Sequence, residues 1–229
     1  MTMEQRNLFL SANRKSWQVS SLHGTQQDPD KKAIKIFERI LERDKNTCYF
    51  CGFQAAKWQE IHHLNDDHAD LSMDNLVTIC PLCHQSFHLN LVHTTNGGTI
   101  IWLPEFTQQE LNYLCRSIFM CLEASEEELK EVKFQKMAFS IYQALEAREQ
   151  VVAQHFYSGT ATQTNEKNVG AFGQMLLNLS EEEYNNRENF LANFKLLPSP
   201  NRFPVQIKYW KHTTFHDLPI RTWEKMINE

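Results

Sequence analysis

Residues 47–52 read TCYFCG, residues 60–64 EIHHL and residues 74–88 DNLVTICPLCHQSFH. The first and last stretches each hold a CxxC pair, Cys48 with Cys51 and Cys80 with Cys83, separated by 28 residues. A CxxC turn lets two thiolates reach one ion, and two such knuckles complete a tetrahedral four-sulfur zinc site. Gly52 follows the first pair, where a tight knuckle needs backbone freedom. Four unrelated buried cysteines would not explain two equal spacings, and a thioredoxin-type redox site needs one pair and not two. A structural Zn²⁺ held by Cys48, Cys51, Cys80 and Cys83 is therefore expected, and it should contribute folding energy to this segment.

Histidines fill the space between and beyond the knuckles. His62 and His63 follow Cys51, Asn75 comes 12 residues after His63, His84 abuts Cys83, and His88 lies four residues further on. The spacing predicts His84 and His88 on one face of a helix. Imidazole supplies a base near neutral pH and a common metal ligand. The same rings can instead pack against a hairpin with their nitrogens hydrogen-bonded. Asp66, Asp67, His68 and Asp70 read as a solvated acidic turn or, alternatively, as a cation site.

Outward from this segment, residues 5–20 suggest a short strand or hairpin and residues 23–32 a polar loop. Asp30 can cap a helix over 31–43 that shows Ile34, Phe37, Ile40 and Leu41 on one face. GGTIIWLP at 97–104 reads as a strand after a turn. Thr107-x-x-Glu110, Ser125-x-x-Glu128 and Ser180-x-x-Glu183 are capping boxes. They predict a helix after 107, a long one from 125 to about 154 with Leu129, Val132, Phe139, Tyr142 and Leu145 on its face, and one ending near KLLPSPNRFP. A loop at 156–168 and a helix over 169–179 lie between. Cys115 and Cys121 read as buried small hydrophobes on a helix. Phe203, Tyr209, Trp210 and Phe215 form a C-terminal aromatic cluster; the aromatics there, Trp223 included, read as core or, alternatively, as a patch that anchors a protein partner. The fold class is α+β: residues 1–43 an N-terminal strand or loop and helix, 44–105 a ββα zinc module, and 106–229 a mainly α-helical region.

The whole chain has 229 residues, 41% hydrophobic, with 15 Phe and 5 Trp, enough for a substantial core. No apolar run approaches the roughly 20 residues that cross a bilayer, and the N-terminus lacks a signal-peptide layout. The sequence reads as cytoplasmic, without direct membrane insertion. The formal charge of −5 gives no hint of a nucleic-acid partner.

CYFCG…EIHHL…DNLVTICPLCHQSFH resembles the HNH family with a zinc-stapled ββα-metal fold, over roughly residues 44–93. The resemblance implies His63 as general base, His62, His84 and His88 as ligands of a divalent metal, and Asn75 as the brace of the base's loop. A metal-dependent endonuclease using His63 and Asn75 is thus one reading. Two features speak against it. Residues 44–93 carry Lys45 and Lys57 against Asp44, Glu60, Asp66, Asp67, Asp70 and Asp74, a balance of −4. A nuclease draws most of its affinity from cations on phosphate, and a negative field repels DNA. The loop between the histidine pair and Asn75 also lacks the Gly-Gly common in that family, so its turn must be built differently.

Taken with GGTIIWLPEFTQQELN, the first half is also similar to the DotN (IcmJ) family of the Dot/Icm type IVB secretion system. That resemblance implies a non-catalytic adaptor subunit of the type IV coupling complex. It implies a cytoplasmic location, peripheral at the inner membrane, and binding to the C-terminal tail of a DotL-like coupling ATPase and to other coupling-complex subunits, aiding effector protein recruitment. A partner peptide is expected on the aromatic surface or along the strand near 99–103, and no nucleic acid is expected.

Overall fold

A computed structural model of the chain describes residues 7–14, 31–123, 133–156 and 168–217. Strands β1 (Glu60–His63) and β2 (Leu76–Ile79) form an antiparallel hairpin with Glu60 opposite Ile79 and His63 opposite Leu76. Helix α2 (Pro81–His84) follows at once, then a 3-10 turn (Gln85–Phe87) and helix α3 (Leu89–Val92). The ββα order of the module is as the sequence indicates. The helix is not continuous, however. An unbroken α-helix would bond the Leu89 amide to the Gln85 carbonyl. Instead the N-terminal strap, residues 7–14, intervenes: Leu89 N donates to Ser11 O at 3.1 Å and Ser11 N donates to Ser86 O at 2.8 Å. His84 and His88 therefore sit on two short turns rather than on one helix face. A short strand or hairpin is expected over 5–20; residues 7–14 of it contain no strand, and the rest lies outside the described residues.

Helix α1 (Lys31–Arg43) matches its predicted bounds and packs on both strands of the hairpin. Ile40 is fully buried, while Ile34, at the start of the same face, is exposed. Arg43 fastens the helix: its guanidinium donates to Met73 O and Leu76 O at 2.7 and 2.8 Å and pairs with Asp44. Asp44 in turn accepts from Thr78 N of β2. Burial alone would raise the Asp44 carboxyl, but these hydrogen bonds hold it below its ordinary value.

Strand β3 (Gly98–Trp102) forms as expected, but its partner lies far along the chain. Phe194–Pro198 is strand β4, antiparallel to β3, with Ile100 opposite Leu196. The sequence reading made KLLP the end of a helix. Instead, the helical stretch after the Ser180 capping box is short, α8 (Glu181–Asn185) and α9 (Arg187–Phe190), and every residue of β4 is buried. The β3–β4 ribbon divides two cores by its period of two. Ile100 and Leu196 face one core with Leu10, Val169 and Phe172; Ile101 and Leu197 face the other with Phe119, Trp210 and the knuckle cysteines.

Helix α4 (Gln108–Leu122) starts at the Thr107 capping box. Cys115 and Cys121 on it are buried, as expected. Ser125, Glu128, Leu129 and Val132 lie outside the described residues, as do Asp30, most of both predicted loops, and Trp223. The long helix expected to reach about 154 is two helices, α5 (Lys133–Glu146) and α6 (Glu149–Phe156). The break lets α5 lie along α4 while α6 crosses β3. Of the residues assigned to the buried face, Leu145 is buried, but Phe139 is 53% exposed and Ala138 is buried in its place. Helix α7 (Asn168–Asn178) packs against α3 so closely that a Cβ on Gly173 would fall 2.7 Å from the backbone of Asn90. Helix α10 (Pro204–His212) seats Trp210 edge-on to Phe53, with ring centroids 5.1 Å apart. Within the described residues the C-terminal aromatics are core, as read.

Candidate metal centre

Local geometry brings the four cysteines together. The first knuckle closes through Gly52 N to Cys48 O at 2.8 Å, with Gly52 at φ 70°, and through Cys48 N to Phe53 O at 2.9 Å. Tyr49 N donates to Thr78 O, which ties this knuckle to β2. In the second knuckle, Cys80 is extended and its carbonyl accepts from Cys83 N and His84 N. Pro81 takes the first helical position, where its missing N–H costs nothing.

The four Sγ atoms lie within 4.8 Å of one another, all buried. Zinc–sulfur bonds of about 2.3 Å require tetrahedral sulfur–sulfur edges of about 3.8 Å. Cys51 Sγ and Cys80 Sγ are 3.7 Å apart, far beyond disulfide length. The donor set and its spacing fit a four-sulfur ion. Two neighbours that the sequence reading missed also face the sulfurs. Arg116 Nη2 stands 3.7 Å from Cys51 Sγ and 3.6 Å from Cys80 Sγ, and Asn112 Nδ2 stands 3.4 Å from Cys83 Sγ. A lone cation inside the apolar run LNYLCRSIFMCL was the available signal.

The hairpin projects its two histidines to opposite faces. His62 stacks on Phe87 with centroids 4.2 Å apart and lies edge-on to His84 at 5.6 Å. Ligand nitrogens of His62, His84 and His88 all lie within 4.8 Å of one another. His84 Nδ1 meets Glu60 Oε2 at 2.5 Å, which leaves Nε2 toward His88 Nε2 at 3.1 Å. Tetrahedral ligation by imidazoles at 2.0–2.1 Å calls for nitrogen pairs about 3.3 Å apart, so this trio also fits an ion. Glu60, two residues before His62, is a third residue that the motif does not place here; a carboxylate on the far nitrogen fixes a ligating tautomer.

His63 goes elsewhere. It is 5% exposed, edge-on to Phe37 of α1 at 6.5 Å and beside His68 at 4.5 Å. Among the described residues, neither of its ring nitrogens has a hydrogen-bond partner. Burial, with the nearby His68, lowers His63 to about 4, and burial with His84 lowers His88 to about 2.

Asn75 sits at the foot of the loop. Its Oδ1 accepts from Asn65 N at 3.0 Å and its Nδ2 donates to Asp70 O at 3.0 Å. The glycine-free loop is built from side-chain turns: Asn65, Asp67 and Asp70 each accept from the amide two residues on, and Asp66 takes φ 57°. Asp67 and Asp70 thus serve the turn itself.

Fold and site define an α+β protein with an HNH-like ββα module and a four-cysteine cluster, followed by a mainly helical part. No protein-family model matches the chain. It is 32% identical over 213 residues to the type 4 apparatus protein DotN of Legionella pneumophila, covering 92% of each chain. The chain belongs to the DotN family.

Proposed function

We propose that this chain is a zinc-stabilised adaptor subunit of a type IV secretion coupling complex. The observation that carries the reading is the relationship to DotN along 92% of the chain, the helical half included. In this reading Cys48, Cys51, Cys80 and Cys83 hold Zn²⁺, and the module is a scaffold. Its partners are the C-terminal tail of a DotL-like coupling ATPase and other coupling-complex subunits, and its role is to help recruit effector proteins. It works in the cytoplasm, peripheral at the inner membrane; among the described residues no helix is long and apolar enough to cross a membrane. Two features of the site support a scaffold over a nuclease. Helix α1 lies over His63, the residue that would have to meet a phosphodiester, and the module's charge balance is −4.

Titration of the zinc-loaded chain with the tail peptide of the coupling ATPase tests this. Micromolar or tighter binding, about −8 kcal/mol, is expected; no binding at tenfold higher concentration overturns the assignment. The trio His62, His84 and His88 favours a second reading, a metal-dependent endonuclease with His63 as base and Asn75 as brace. Plasmid cutting in Mg²⁺, Mn²⁺ or Ni²⁺ that disappears in His63→Ala would establish that reading and displace the scaffold.

A further inference from the structure

Arg116 is 3% exposed, in the middle of α4. Its guanidinium lies over the Phe53 ring, 3.8 Å from the centroid, and its Nη2 reaches Cys51 Sγ and Cys80 Sγ. A buried cation needs a paired anion, and the charges acting on this one are the sulfurs of Cys80, Cys51 and Cys83. Four neutral thiols would leave it uncompensated. A Zn²⁺ with four thiolates carries −2, and that excess negative charge is itself costly in a core. Each group supplies what the other lacks.

A second contact comes from the same helix. Gln108 Nε2 donates to Asn112 Oδ1 at 3.0 Å, which turns Asn112 Nδ2 toward Cys83 Sγ. The other bonds of Gln108 go to the backbone of Leu196 in β4. An unbroken chain of hydrogen bonds thus runs from the ribbon through α4 to the second knuckle, and the guanidinium touches both knuckles.

We infer that helix α4 completes the metal centre, with Arg116 as the counter-charge of the tetrathiolate and Asn112 as a positioning donor to Cys83. This rests on the four-cysteine zinc reading above. Metal occupancy and docking of α4 are then one linked equilibrium: the ion stabilises the helical half as well as the knuckles, and α4 tightens the ion.

The test uses the full chain, with affinity for Zn²⁺ measured by chelator competition and the cobalt-substituted protein read by its thiolate-to-metal charge-transfer band. Arg116→Met should weaken Zn²⁺ binding about 10–100-fold and shift the cobalt band, because two N–H···S bonds and a positive charge leave the sulfurs. Arg116→Lys, which restores charge without the planar fork, should recover part of the loss. Asn112→Leu should shift the cobalt band while keeping the charge. A folded Arg116→Met protein with wild-type affinity and an unchanged band overturns the inference. Should Arg116→Met not fold, Asn112→Leu decides in its place, by the same two readouts. Wild-type protein that takes up no zinc defeats the zinc reading itself, whereas tight wild-type binding with indifferent variants defeats only the role of α4.

Discussion

A sulfur removed from the cluster leaves three donors and a buried guanidinium short of an anion. Cys80→Ser should therefore abolish stoichiometric zinc, measured by elemental analysis, and erase the near-UV circular dichroism of Phe50, Phe53 and Trp210 packed around the knuckles. The histidines give a pH signature. His62, His63 and His88 all have values lowered chiefly by burial, so the folded chain keeps them neutral while the unfolded chain protonates them near pH 6.5. The unfolded state binds more protons in that window, and stability must fall as pH drops below about 6.5. Thermal melts of zinc-loaded protein from pH 7.5 to 4.5 should show a steady decline, one that His63→Phe makes shallower. Single residues were legible in the sequence where spacing alone brings them together. The two CxxC pairs are of that kind. Glu60, Asn112 and Arg116 were not, because what they do depends on a partner 24 to 65 residues away.

Elements obeyed the same division. Helix α1 and the capping boxes at Thr107 and Ser180 are written in local pattern, and each forms where the pattern puts it. Strand β4 was hidden, since its hydrogen bonds come from Gly98–Trp102, and FKLLP lacks the alternation of a half-buried strand. The strap was hidden too: residues 7–14 have no regular structure and are held by distant groups. Tyr184 Oη donates to Ala12 O at 2.6 Å, and Arg187 stacks between Tyr184 and Phe9. Tyr184→Phe should cost about 1 kcal/mol. It should also speed amide exchange at Ser11 and Leu89, with little change at β2. Equal exchange in both variants would mean that the strap is held by its backbone alone.

At the scale of the molecule, the knuckles share one core with α4, α5 and α10, so the metal module is not an appendage. Trp210 joins the far end of that core to Phe53 beside the first knuckle. Trp210→Ala should cost about 3–5 kcal/mol and lower the melting temperature by about 10 °C. Because core and cluster are shared, it should also loosen the metal, which release kinetics would register. The edge of β3 near 99–103, where the sequence suggests that a peptide could add, is capped at Ile100. Ile100 N and O are both taken by the side-chain amide of Asn168, at 2.8 and 2.7 Å, and Leu196 N and O by that of Gln108, both at 2.8 Å. Each amide stands in for a neighbouring strand, using one acceptor and one donor. A carboxamide has both and a carboxylate has acceptors alone, so Asn168→Asp would remove the donor to Ile100 O and bury a charge. Ile100 O would then be an open acceptor on a strand edge, and a finished ribbon would become a template for a further strand.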